Sequence, residues 1–253
     1  MKLINLLLVV FSITNLSCKL QTQMSRIEIV QPTVEQEVIS IWRTINDFSF
    51  LEKQGYTINL PKKPLIDSLI IKSKNGTFGN EDFSTIYNLV ETEIFNHEDY
   101  EKAIQKVKNQ HDLINKLVYE IDSTKNQWDW DFNTFDKYKI TFTLYGTGGS
   151  YDPENGTITL LTNKEGSFMN YKNPANTIIH EITHMGMEYS IVQKYKLSHG
   201  NKERIVDKFV YLMFNDKLPE YRVQDMGNTK IDDYLNKQEH LNTLSSIISK
   251  FVD

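Results

Sequence analysis

The chain reads as an α+β protein on three observations. Apolar residues recur at three- and four-residue steps through most of the first half, two short segments between 139 and 162 alternate at a period of two, and helical spacing returns from 174 onward. At 253 residues there is room for one large or two small domains with an adequate core. Charged residues at 24% and hydrophobic ones at 40% are ordinary for a globular chain. The net charge of −5, with no basic run, argues against nucleic acid or an anionic membrane surface as partner.

Residues 1–17 carry the marks of a secretory signal peptide. Met1-Lys2 is a positive start, Leu3 to Ile13 is an apolar run too short to span a bilayer, and Asn15-Leu16-Ser17-Cys18 is a small-residue cleavage site. Cys18, the only cysteine, stands where a bacterial lipoprotein is cut and acylated, although Asn15 replaces the usual Leu of that motif. The expectation is a lipid-anchored protein of the bacterial cell envelope, with plain secretion as the alternative. With Cys18 acylated no thiol is left for a disulfide or a cysteine-rich zinc finger.

Residues 18–32, polar and containing Pro32, read as a tether. A mainly helical region is expected over 33–130, where Val34, Val38, Ile41, Trp42, Ile45 and Phe48 have helical spacing and further helices fall at about 64–73, 81–96 and 98–122. Asn75-Gly76 marks a turn. His97 and His111 have no partner motif and read as surface residues.

The remaining part, 131–253, opens with strand character. Lys139 to Tyr145 alternates, Gly146-Thr147-Gly148-Gly149-Ser150 breaks the alternation, and Gly156 to Thr162 resumes it after Pro153-Glu154-Asn155. The glycine run leads from strand to strand and lacks the Lys-Ser/Thr of a phosphate-binding loop, so it reads as a loop or bulge. Asn173-Pro174 then supplies a helix cap and first residue, with Ile178, Ile182, Met185, Tyr189 and Val192 as its buried stripe. Asn201 is expected to cap the next helix, in which Ile205, Phe209 and Leu212 form a buried line while Glu203 and Asp207 share another face.

These two helices carry the chemistry. His180-Glu181-Ile182-Thr183-His184 places two imidazoles four residues apart on one helix face, where both can offer a nitrogen to one metal ion. Glu181 lies at the edge of that face as a general base, and Glu203 can supply a third ligand, which leaves the fourth tetrahedral position open as catalytic zinc requires. Asp207, one turn beyond Glu203, suits the carboxylate that accepts the second N–H of a ligating histidine.

This constellation resembles the gluzincin zinc metallopeptidases, the thermolysin-like branch of the zincins, over roughly residues 139–210. The likeness rests on His180, Glu181, His184, Glu203 and Asp207; Lys202 departs from the Asn that precedes the ligand Glu in thermolysin itself. The metzincin pattern fails, because Gly186 stands two residues after His184 and Ser190 occupies the place of the third histidine. The resemblance implies a zincin-like core, one Zn2+ per chain, and hydrolysis of a peptide or protein substrate bound along an edge strand, for which 146–162 is the candidate. It also implies a Tyr or His that stabilises the oxyanion: Tyr195 and His199 are the first candidates, Tyr234 and His240 further ones. The expected protein is a monomeric zinc metallopeptidase; the alternative is a non-catalytic zinc-binding envelope lipoprotein that holds a protein or cell-wall component.

Overall fold

A computed structural model of the chain describes residues 24–169 and 171–252. The expected signal peptide, Cys18 and the first part of the expected tether lie outside the described residues. The architecture is α+β, with helices packed around one four-stranded mixed sheet.

The first helices are α1 (Val34–Asn46), α2 (Phe48–Lys53), α3 (Pro64–Lys74) and α4 (Phe83–Leu89). Thr33 and Gln36 close a reciprocal capping box at the start of α1. Val38, Ile41 and Ile45 of α1 then pack with Ile66 and Leu69 of α3 and with Ile86 and Leu89 of α4 in a small core. The helical stretch expected over 98–122 is divided at Asn109-Gln110 into α5 (Glu101–Lys108) and α6 (His111–Thr124). Both join the larger core around the sheet, so the helices expected over 33–130 are shared between two cores.

The sheet runs β1-β2-β4-β3, from β1 (Ile27–Ile29), β2 (Tyr138–Thr143), β3 (Ser150–Asp152) and β4 (Thr157–Leu161). β1, β2 and β4 are parallel, and β3 is the antiparallel edge. β1 corrects the reading of 18–32 as tether throughout. Ile27 is buried, and the Val30 N–H continues the ladder to the Ile140 carbonyl at 2.8 Å. Three residues offer too little alternation to stand out from polar neighbours. The glycine run joins strand to strand, but not as a simple hairpin. It carries the chain to the outer edge, and the turn after Asp152 returns it as β4, between β3 and β2.

Helix α7 (Pro174–Met187) is capped by Asn173, whose side chain accepts from the Ala175 N–H at 2.9 Å. The expected single apolar stripe understates its burial. Every residue of α7 except His180 is buried, because α5, α6, β3, β4 and α8 (His199–Phe214) all pack on it. Beyond Met187 the chain widens into a π turn, Glu188–Gln193. That wider winding shifts the register, and Tyr189, expected in the stripe, faces solvent. The cap of α8 is Ser198 and not Asn201; Asn201 instead accepts the Asn228 N–H at 2.9 Å. Ile205 and Phe209 are buried as expected, Leu212 only partly, and α9 (Leu244–Val252) closes the larger core. Among the described residues no helix is long and apolar enough to cross a membrane.

Two details of packing generate tests. Gly186 faces Phe132, and a Cβ there would overlap the ring, which is itself wedged among Trp128, Trp130 and Phe209. Gly186→Ala gains about 1 kcal/mol of helix propensity, yet overpacking of a filled core costs about 1–3 kcal/mol. Chemical denaturation is expected to show net destabilisation, and a more stable variant would mean that Phe132 moves freely.

Glu37 is buried between α1 and the end of β2, where it accepts from Tyr100 at 2.7 Å, from the Leu144 N–H at 2.9 Å and from Thr143. Burial pushes its carboxyl above the usual 4.5, and the three hydrogen bonds only partly oppose this. A carboxyl raised by folding binds its proton more tightly in the native state, so its contribution to stability is present below the unfolded value and is lost as pH rises through the folded one. The stability of the wild type relative to Glu37→Gln should therefore fall as pH rises above the unfolded carboxyl value in denaturant titrations. A relative gain over that range contradicts the assignment.

Candidate functional site

Helix α7 brings His180, Glu181 and His184 to the floor of a cleft of about 520 Å³, and α8 adds His199, Lys202 and Glu203. The walls are α1 and α2 with Arg43, Phe50 and Leu51, Tyr56 just after α2, the glycine loop and β3, and the segment after α8 with Arg222, Gln224 and Met226.

At the centre lies a triangle of donor atoms. His180 Nε2 and His184 Nε2 are 3.0 Å apart, His184 Nε2 and Glu203 Oε2 3.2 Å, and His180 Nε2 and Glu203 Oε2 3.4 Å. Donors about 2.0–2.2 Å from one tetrahedral zinc ion lie about 3.3–3.6 Å from each other, slightly wider than this triangle. These three residues form the one group among the described residues whose donor atoms could hold a metal ion together. Their charge state agrees. Burial opposes a proton on His180, but Asp207 and Glu203 outweigh it and raise His180 to about 10. Burial and the neighbouring His180 push His184 down to about 4, while Glu203, despite burial, is held well below the carboxylate range by the two imidazoles. The triangle therefore favours one positive charge at its centre, which suits a cation bound by two imidazoles and a carboxylate.

His180 is oriented from behind. Its Nδ1 lies 2.7 Å from the Tyr221 hydroxyl and 3.2 Å from Asp207 Oδ1. The Tyr221 hydroxyl donates to Asp207 Oδ1 at 2.7 Å, so it accepts the Nδ1–H of His180, and Asp207 Oδ2 accepts the Gln224 N–H at 2.8 Å. When a metal ion displaces the Nε2 proton, this relay would keep the remaining His180 proton on Nδ1 and turn the Nε2 lone pair toward the triangle. Asp207 thus stands behind His180, and Tyr221 shares the task. His184 is held differently. Its ring stacks on Tyr151 at 5.1 Å with 7° between the planes, and its Nδ1 is buried without a hydrogen-bond partner. The Tyr151 hydroxyl donates to Glu188 at 2.9 Å.

Glu181 lies one residue from the triangle under the glycine loop. A Cβ on Gly149 would overlap its carboxylate and the Thr177 methyl, so the backbone at 149 closes directly over Glu181. Burial, then the charge of Glu203, raises its carboxyl to about 7 against the opposing pull of His180.

The expected oxyanion donors part company. His199 lines the cleft, with Nδ1 3.7 Å from Glu203 Oε1 and Nε2 2.5 Å from the Tyr56 hydroxyl. Tyr195 is not brought to the site. Its hydroxyl donates to the Ser245 carbonyl at 2.9 Å, because the π turn and the bend after it press the ring against α9. Tyr234 is exposed, and His240 Nδ1 accepts from the Asn236 N–H; neither lines the cleft. His111 is not a bare surface residue but lies 2.9 Å from the Ser25 hydroxyl, and His97 packs edge-on against Phe95. Tyr56 and Tyr221 carry no signal in the sequence as site residues, and Gly149 and Tyr151 enter only within the candidate edge strand 146–162. Each sits in an irregular or short segment with no motif, and only the tertiary fold brings them to α7 and α8. Lys202, visible only as a departure from a pattern, lies 3.5 Å from Glu203 Oε1 and 5.6 Å from the Tyr151 ring centre.

No family model, curated protein or solved structure matches the chain.

The relay behind His180 has a measurable consequence. Tyr221→Phe keeps the ring and removes the bridging hydroxyl, so zinc affinity measured by chelator competition should fall about tenfold, the lower end for loss of a partner behind a metal-ligating histidine. Unchanged affinity would show that Asp207 alone orients His180.

Proposed function

We propose that the chain is a zinc-dependent peptidase with a gluzincin-type site in a zincin-like core, hydrolysing peptide bonds. The observation that carries the reading is the triangle of His180, His184 and Glu203 donors with the Glu181 carboxylate beside it, in an open cleft. Zinc, when bound by these three residues, supplies the Lewis acid that polarises a carbonyl and acidifies a water molecule.

Glu181 is the general base. It accepts the proton of the attacking water and returns it to the leaving amine, so that the C–N bond breaks with its nitrogen protonated. The lack of a side chain at Gly149 leaves room for this carboxylate under the glycine loop. Asp207 and Tyr221 hold His180 with its Nε2 lone pair forward. His199, linked to Tyr56, is the oxyanion donor, since Tyr195, Tyr234 and His240 lie elsewhere. The substrate lies along β3, the sheet edge that borders the cleft, and adds to it as an extended strand. Acylated at Cys18, the protein acts as a monomer at the bacterial cell envelope.

Purified protein is expected to hold about one zinc ion by metal analysis and to cleave unstructured peptides. Glu181→Gln should keep the metal while hydrolysis falls by about 10²–10⁴-fold or more; a variant as active as the wild type would end the assignment. His180→Ala and His184→Ala should each lose the metal, and full retention in both would place the zinc elsewhere.

A further inference from the structure

The chain has four arginines, and they divide cleanly. Arg204 is fixed by Asp232 at 2.9 and 2.5 Å and by two backbone carbonyls, and Arg26 by Asp122 and the Phe135 carbonyl. Among the described residues, Arg43 and Arg222 have no salt bridge and no side-chain hydrogen bond, and both line the cleft. They come from separate walls. Arg43 stands on α1 beside Phe50 and Leu51, where the cleft continues over the glycine loop into a recess of about 170 Å³. Arg222 follows Tyr221, with its guanidinium 6.0 Å from the Tyr171 ring centre, and Tyr171 stacks in turn on Tyr221. A stacked guanidinium keeps its in-plane N–H donors available.

None of the carboxylates lining the cleft makes a salt bridge with Arg43 or Arg222. Glu203 belongs to the donor triangle, Glu181 lies under Gly149, and Glu188 accepts from Tyr151 and Gln193. Asp47, four residues after Arg43 and lining the same recess, accepts from Asn46 and makes no salt bridge with Arg43, so Arg43 and Arg222 present cationic donors without an ion pair on a chain whose net charge is −5. Both arginines are exposed at the rim of the cleft, where an arginine fork can meet a carboxylate in matching shape and charge.

We propose that the cleft selects acidic peptides, segments with Asp or Glu side chains flanking the bond to be cut, and that Arg43 and Arg222 are the residues that bind those carboxylates. The inference rests on the peptidase reading for the cleavage step, but the binding preference stands on the cleft itself.

The test uses the zinc-loaded protein and three matched fluorogenic peptides that flank one central sequence with Asp/Glu, with Asn/Gln, or with Lys. The acidic peptide is expected to have a kcat/KM about tenfold or more above its amide counterpart, with the preference shrinking at high salt. Arg43→Gln and Arg222→Gln should each reduce the acidic-to-amide ratio several-fold, whereas Lys116→Gln, which removes an exposed charge on α6, should leave the ratio as it is. Equal cleavage of the acidic and amide peptides, or arginine variants that leave the ratio unchanged, would overturn the proposal. Binding of the same peptides to Glu181→Gln, followed by fluorescence anisotropy, separates the two claims. Arginine-dependent capture of the acidic peptide without any hydrolysis by the wild type would sink the peptidase reading and keep the acidic site. Hydrolysis without acidic preference would do the reverse, and neither binding preference nor hydrolysis would remove both.

Discussion

The enclosure of α7 is the constraint on which the rest depends. A helix packed on all sides has no room to shift, so the side chains it carries are positioned by the whole larger core and not by a local turn. The cost is that its polar residues must find partners within the fold. Thr183 turns back to the Ile179 carbonyl at 2.8 Å, Asn176 keeps one buried oxygen without a partner, and Glu181 has its space closed by the backbone of Gly149. His180 is the one residue of α7 that is not buried, while Glu181 and His184 also line the cleft.

The two histidines of the triangle are secured by unlike means. His180 is held by directional hydrogen bonds that define which ring nitrogen carries the proton. His184 is held by a flat stack on Tyr151, which restrains the ring plane and leaves the proton placement open. Asymmetry of this kind makes His180 the more basic donor, because only its rear nitrogen feeds a carboxylate. It also ties the edge strand to the donor triangle, since Tyr151 is at once a residue of β3 and the support of His184.

How legible this was depended on the range of the interactions involved. The helix around His180 and His184 declared itself through the Asn173 cap and its apolar spacing, and the pairing of Glu203 with Asp207 through a four-residue step, because each is a local matter of three or four turns. The α+β class followed from the same periodicities. What escaped was set by distant contacts. β1 is a strand only because β2 lies beside it, the glycine run serves a parallel arrangement that its sequence does not encode, and Tyr221 reaches His180 across 41 residues. Cap placement failed by a smaller margin: Ser198 and Asn201 are both good caps, and the bond from Asn228 decided which one was free to act. Tyr195 was misplaced because the π turn after Met187 redirects the chain, and a wider winding leaves no mark in spacing.

The walls of the cleft belong to different cores. Its donor triangle is rooted in the larger core, while the wall with Arg43, Phe50 and Leu51 rides on helices that pack around the smaller one. The two are stitched by the paired backbone bonds between Asn59 and Gly146 at 2.8 Å and by Glu37 reaching across to the end of β2. Proteins open locally in cooperative units that often follow such packed substructures, and the smaller core has the makings of one. A molecule that has let go of that unit would keep a complete donor triangle and have nowhere to seat a ligand. On that division, occupancy of the centre and competence of the cleft would be separable, with the stability of the smaller core bearing on the second.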